Sequence, residues 1–205
     1  MHKEILTENQ LKLLPLLNDF AKEYILVGGT AIALHIGHRQ SVDFDLFSSK
    51  KIRRKSIKNY LIQKKYPVNE LIKEEEDQIH FIINNVKVTF FQYPFIINDL
   101  IDFDRIIKIP SLLNLAAMKA FALGGRGKWK DYVDLFFLLK NHFTLSKIIE
   151  KAEELFGEVF NGKLFKEQIS YFEDINFEEE VVYLNKPVDK EEIKKFLVDA
   201  ATEKF

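Results

Sequence analysis

Gly28-Gly29-Thr30-Ala31-Ile32-Ala33-Leu34-His35-Ile36-Gly37-His38-Arg39-Gln40-Ser41-Val42-Asp43-Phe44-Asp45-Leu46-Phe47 is the stretch on which the reading of this 205-residue chain turns. The apolar run Tyr24 to Val27 precedes it and reads as a buried strand entering a tight Gly-Gly turn. Thr30 to Ile36 has the composition of a short helix that Gly37 stops. Val42 to Phe47 alternates like a strand, with Asp43 and Asp45 on one face and Val42, Phe44 and Leu46 on the other.

Each part of this strand–turn–helix–strand unit suits phosphate chemistry. Gly28 and Gly29 lack a Cβ, so backbone N–H groups can approach phosphate oxygens. The helix that follows points its positive end at the same place, and Thr30 adds a hydroxyl donor. Asp43 and Asp45 can share a hard divalent cation, Mg²⁺ or Mn²⁺, which prefers oxygen ligands. Such a cation would bridge a nucleoside triphosphate and stabilise charge during in-line displacement. Arg39 and Ser41 stand just ahead of the aspartates. A lone Asp-x-Asp or Gly-Gly is weak evidence; the combination at this spacing is far more specific.

Outward from this unit the first 110 or so residues read as mixed α/β. Thr7 to Ala21 has helical spacing, with Pro15 placed to kink or shorten it. Ser49 to Lys65 reads as a basic helix held by Ile52, Ile57, Tyr60 and Leu61. Val68–Ile72, Gln78–Ile83 and Val86–Tyr93 read as strands, the last two joined by an Asn84-Asn85 hairpin turn, and Ile106–Ile109 as a further strand. Pro110-Ser111 then opens a helical region: Leu112–Leu123, Trp129–Asn141, Leu145–Phe156 and an acidic, helical tail from Glu167. Pro187 breaks that tail, and Asp189 is placed to cap its last helix. The expected organisation is therefore α+β, a mixed sheet with helices over 1–110 followed by a helical domain over 111–205.

Composition bounds the function. With 47% apolar residues and 19 Phe the chain can bury a sizeable core. The absence of cysteine excludes disulfides and cysteine-ligated zinc. No signal-peptide pattern and no apolar run of about 18 residues is present, so a cytoplasmic protein without a membrane span is expected. The net charge of −1 hides an asymmetry: up to Asn69 there are twelve Lys and Arg against six Asp and Glu. Between Leu46 and Asn69 lie Lys50, Lys51, Arg53, Arg54, Lys55, Lys58, Lys64 and Lys65 with no acid among them. Such a run attracts a polyanion, a triphosphate or RNA, or else forms a solvated helix face. Neither a Walker A sequence nor a G-x-S-x-G elbow occurs.

The glycine–aspartate unit resembles the DNA polymerase β-type nucleotidyltransferases. More closely, it is similar to the AbiEii/AbiGii toxin family, whose GGTALAL-like and R-x-S-x-D-x-D-like stretches match Gly28–Leu34 and Arg39–Asp45. A second block supports the resemblance: Met118-Lys119-Ala120, then Arg126-Gly127-Lys128, then Lys130-Asp131-Tyr132-Val133-Asp134-Leu135, with Lys130 where the family usually has Arg. The resemblance spans roughly Tyr24 to Lys140.

It implies a nucleotidyltransferase-type fold with the site in the cleft between its domains. The implied activity moves a nucleoside monophosphate from an NTP to a hydroxyl, the acceptor being RNA or tRNA. Asp43 and Asp45 are the implied metal ligands, and these two with Lys119 and Asp131 the catalytic set. Gly28, Gly29, Thr30, Arg39, Ser41, Lys119, Arg126, Lys130 and Asp134 are the implied nucleotide contacts. A cognate antitoxin protein is an implied partner.

One departure stands out. Enzymes of the superfamily carry a third carboxylate on a later strand, and here that position is Thr89, with Lys87 two residues away on the same face. Either another carboxylate serves, Asp131 or one from Glu74-Glu75-Glu76-Asp77, or the chain binds nucleotide as a catalytically degenerate module or protein-interaction module. His35 and His38 flank Gly37; the first reads as packed or surface-reaching and the second as a polar loop residue. His80 and His142 read as structural. Phe47, next to the aspartates, is the one phenylalanine placed to contact a base.

Overall fold

The computed structural model describes residues 1–125, 127–173, 175 and 177–203. It divides into two compact units, Met1–Pro110 and Ser111–Phe205.

In the first unit a five-stranded mixed sheet runs in the order β1-β2-β5-β4-β3. Its strands are β1 (Ile25–Val27), β2 (Phe44–Ser48), β3 (Val68–Glu74), β4 (Gln78–Ile83) and β5 (Val86–Gln92). Only β2 and β5 pair in parallel; the other pairs are antiparallel. Strand alternation sends Phe44, Leu46, Ile79, Phe81, Ile83, Val88 and Phe90 into the core. Phe90 meets Phe20 and Tyr24 edge-on there, at 4.8 and 5.3 Å between centroids. β3 is an exposed edge, and its Glu70, Lys73 and Glu74 deter pairing with another chain.

The N-terminal helix is two helices, α1 (Glu8–Lys12) and α2 (Leu14–Phe20). Pro15 sits in the first turn of α2, where its missing N–H costs nothing. Thr7 and Gln10 form a capping box on α1. α3 (Gly28–Ile36) begins at the glycines themselves rather than after them, and Gly37 closes it at φ 61°. The basic helix α4 is shorter than its composition suggests, Arg54–Gln63, and no side chain caps its start. Asn84 and Asn85 take φ 50° and 59°, as a two-residue hairpin turn between β4 and β5 requires. A second hairpin, β6 (Leu100–Phe103) with β7 (Ile107–Pro110), turns at Asp104-Arg105, also at positive φ.

The second unit is helical: α5 (Leu112–Leu123), α6 (Trp129–Asn141), α7 (Leu145–Phe156), α8 (Gly162–Ile169) and α9 (Lys190–Thr202). Asp189 caps α9 by accepting from the amides of Glu191 and Glu192. Between α8 and α9 the described residues are irregular, where an acidic helix was expected; Phe177 from this segment packs against Trp129 instead. Among the described residues no helix is long and apolar enough to cross a membrane.

Candidate functional site

Asp45 lies on β2 between Val27 of β1 and Thr89 of β5. Its side chain is half-buried, and no hydrogen bond among the described residues engages its carboxylate. Gly28 lies directly against it. Gly28 has φ +75°, and a Cβ there would collide with the Asp45 carboxylate. Both facts demand glycine, so the start of α3 and the carboxylate are held together by backbone geometry alone. Gly29, by contrast, does not take positive φ.

Asp43 stands one residue ahead of β2, outside the ladder, and Val42 is exposed rather than in the core. Asp43 is held by its backbone: Thr30 Oγ1 donates to the Asp43 carbonyl. Ser41 Oγ lies 2.9 Å from Thr30 Oγ1. With one proton per hydroxyl, Thr30 gives its own to Asp43 and can accept that of Ser41. Thr30 and Ser41 are both buried. The Thr30 hydroxyl therefore braces the aspartate loop instead of reaching a phosphate; only its backbone N–H remains a donor of the first helical turn. Arg39 is likewise buried, and its Nη1 donates to the Gln40 carbonyl at 2.8 Å. His38 is a buried residue rather than an exposed loop one, and His35 Nε2 lies 3.0 Å from the Pro110 carbonyl oxygen.

Among the described residues no group of three His, Cys, Asp or Glu side chains is gathered to hold a metal. A half-buried carboxylate without a hydrogen-bond partner, facing a helix start, is a suitable ligand for Mg²⁺.

The basic run is partly neutralised within its own unit. Lys51 pairs with Glu76 at 2.7 Å, Arg53 with Glu23 at 2.7 Å and Lys58 with Glu74 at 3.0 Å. These pairs engage three of the eight basic residues of the run, of which Lys58 alone lies on α4. Phe47 packs against Phe91 and Tyr93, at 5.1 and 4.9 Å between centroids, on the face that carries Asp45.

In the helical unit Lys119 is buried and clamped. Its Nζ lies 2.5 Å from Asp131 Oδ1 and 2.9 Å from Asp134 Oδ2. The Lys119 and Asp131 side chains are about one-twentieth exposed and Asp134 not at all. Asp131 and Asp134 meet one ammonium because they are three apart on α6. Lys128 and Lys130 both reach Glu179, at 2.6 and 3.3 Å. The Lys128 bond holds the Glu179 carboxyl below the usual glutamate range. Arg126 lies outside the described residues.

The row across the sheet also contains a residue that the sequence reading set aside. Thr89 pairs with His80 of β4, so Asp45, Thr89 and His80 stand side by side on one face. The two-residue Asn84-Asn85 turn fixes that register and was the signal available for it.

The tight contact of Gly28 with Asp45 makes a direct prediction. Gly28→Ala should lose about 1–2 kcal/mol from positive φ alone and should displace Asp45, lowering activity more than stability. Thermal unfolding beside a nucleotide-transfer assay checks this; an active, equally stable variant would remove the glycine's special status.

The chain matches the family model described as nucleotidyl transferase AbiEii toxin, type IV TA system, over residues 15–99 and 86–204. An uncharacterized protein of Aquifex aeolicus (strain VF5), aq_aa25, is 30% identical over 179 residues, covering 85% of this chain and 84% of that one. Among solved structures, MenT4, a nucleotidyltransferase toxin from Mycobacterium tuberculosis H37Rv, superposes with a TM-score of 0.63 at 11% identity, over 95% of this chain and 82% of that one. JHP933 from Helicobacter pylori gives 0.57 at 18% identity, over 96% and 91%. These two likenesses establish a shared fold. Through the family match over most of its length, the chain belongs to the AbiEii nucleotidyltransferase toxin family.

Proposed function

We propose that this protein transfers a nucleoside monophosphate from an NTP to a hydroxyl of RNA, with tRNA the favoured acceptor, and releases pyrophosphate. The observation that carries the reading is the Gly28–Asp45 contact, which joins a phosphate-accepting helix start to a metal-competent carboxylate. Asp43 and Asp45 hold Mg²⁺ or Mn²⁺, which supplies charge neutralisation at the transferring phosphate. The backbone of Gly28, Gly29 and Thr30 receives the triphosphate, while Ser41, Arg39 and the Thr30 hydroxyl brace the aspartate loop. Lys119, clamped by Asp131 and Asp134, is a contact for the nucleotide's phosphates, and Asp131 positions nucleotide or acceptor. Arg126 and Lys130 are further nucleotide contacts.

On this reading residues 1–110 are the nucleotidyltransferase domain and 111–205 its helical companion. The protein works in the cytoplasm, where NTPs and tRNA are plentiful, and a cognate antitoxin restrains it. Thr89 favours a second reading, a catalytically degenerate nucleotide-binding module, because the position offers no carboxylate.

One experiment separates the two. The protein is incubated with each labelled NTP, Mg²⁺ and total cellular RNA, alongside an Asp43→Ala/Asp45→Ala variant. Label on RNA with the wild type only is expected. Label on neither, with nucleotide binding retained by the wild type, would leave the binding module.

A further inference from the structure

We propose that His80 is the general base for this reaction, taking the proton of the acceptor hydroxyl in place of the carboxylate missing at Thr89. The proposal rests on the transferase reading above. Three observations lead to it.

The first is register. Asp45 and Thr89 are partners across the parallel β2–β5 ladder, and Thr89 and His80 across the antiparallel β5–β4 ladder. With strands about 4.8 Å apart, Asp45 and His80 originate about 10 Å from each other. Thr89, the smallest of the three, forms the floor between them. Among the described residues neither the Asp45 carboxylate nor the Thr89 hydroxyl is hydrogen-bonded. An acceptor hydroxyl above Thr89 would have Asp45 on one side and the longer imidazole on the other, within the reach a base requires.

The second is the tautomer. Gln78 Nε2 donates to Glu75 Oε2 at 2.5 Å. A carboxylate can only accept, so this bond fixes which way the Gln78 amide faces. Gln78 Oε1 then lies 2.8 Å from His80 Nε2, which must carry the proton and donate it. The Nδ1 lone pair is left with no hydrogen-bond partner among the described residues. Glu75, itself held by Lys73 at 3.0 Å, anchors the chain Glu75–Gln78–His80. A base oriented by a second group, itself oriented by a third, is the usual arrangement for a positioned imidazole.

The third is charge. Burial, then Lys87 of β5 and Lys73 of β3, hold His80 below the ordinary histidine range, while Asp45 and Glu75 pull the other way. The imidazole is therefore neutral at pH 7 and able to accept. In the step, the acceptor oxygen forms a bond to the α-phosphorus, and the bond from that phosphorus to the pyrophosphate oxygen breaks with its electron pair leaving on pyrophosphate. The hydroxyl proton passes to His80 Nδ1 and afterwards to water.

The test compares wild type, His80→Gln and His80→Gln/Thr89→Asp in the labelled-transfer assay from about pH 5 to pH 9, together with ¹⁵N NMR of the His80 ring. His80→Gln should lower kcat by about 10²–10⁴-fold with KM for the nucleotide unchanged. It should also lose the limb that, in the wild type, raises kcat as pH climbs below 6.5. Adding Thr89→Asp should recover part of the rate by restoring a carboxylate beside Asp45. The NMR spectrum should show the Nε2–H tautomer at pH 7 in the wild type. An Nδ1–H tautomer overturns the proposal whatever the rates. An active wild type with His80→Gln equally fast overturns the base alone. A wild type that transfers to no acceptor, with the expected tautomer, takes down the transferase reading and the base with it.

Discussion

Lys119→Met should lower the stability of the chain by about 3–5 kcal/mol, a fall in Tm of roughly 10 °C for a protein of this size. The ammonium sits between two buried carboxylates, 2.5 and 2.9 Å away. Removing the lysine does not merely delete two ion pairs. It takes the ammonium away from two buried carboxylates, and removing one partner of a buried ion pair is what makes such substitutions costly. Two comparisons isolate that cause. Asp134→Asn keeps the Lys119–Asp131 contact, so its loss should be the smaller. Lys119→Met combined with Asp131→Asn and Asp134→Asn should regain a large part of the stability, although it removes more of the native cluster. Thermal and urea unfolding of the four proteins measure this. If Lys119→Met unfolds at the wild-type temperature, the cluster is open to water in solution and its charges are solvated.

The same cluster shows how much of the molecule is legible in the sequence. Met118-Lys119-Ala120 inside an apolar run and the i, i+3 spacing of Asp131 and Asp134 are each legible as local patterns, but their meeting is not, because Lys119 and Asp131 lie twelve residues apart on different helices. The boundaries of α5, α6 and α7, and the hairpin at Asn84-Asn85, are legible because cap, period and turn chemistry are written in adjacent residues. The β6–β7 hairpin is not, because Asp104 and Arg105 adopt positive φ without glycine or asparagine to announce it. The irregular segment after α8 is not, because Phe177 finds Trp129, far off in sequence, in place of a helix. At the site, Gly28, Gly29, Asp43 and Asp45 stand out as a spaced motif. The inward hydroxyl of Thr30 does not, since its acceptor is a carbonyl thirteen residues later, brought close only by the folded loop. His80 lies between these extremes. A two-residue turn at Asn84-Asn85 forces Ile83 opposite Val86, and counting back places His80 opposite Thr89.

Asp45→Asn should reduce nucleotide transfer by at least about 10²–10³-fold, the scale of losing one preorganised electrostatic group, while leaving stability unchanged or slightly raised. The two halves of this expectation have separate grounds. Asparagine keeps the shape, so the side chain still fits against Gly28, which has no Cβ to collide with it. No hydrogen bond among the described residues is lost with the charge. A half-buried carboxylate without such a partner contributes little to folding, and residues kept for function at a cost in stability are common at active sites. The charge, however, is what a hard cation requires, and an amide oxygen is a weaker ligand for it. The loss should therefore fall mainly on the rate, with weaker metal-dependent nucleotide binding beside it. Raising Mg²⁺ or substituting Mn²⁺ should recover part of the activity. Asp43→Asn makes the informative contrast. Thr30 holds Asp43 through the backbone carbonyl, which the substitution leaves in place, so thermal unfolding beside the rate tells a loss of the loop from a loss of the ligand. If Asp45→Asn transfers at the wild-type rate, Asp45 is not a metal ligand. If it loses activity and stability together, the residue is structural, and the Gly28 contact exists to seat a side chain and not to present one.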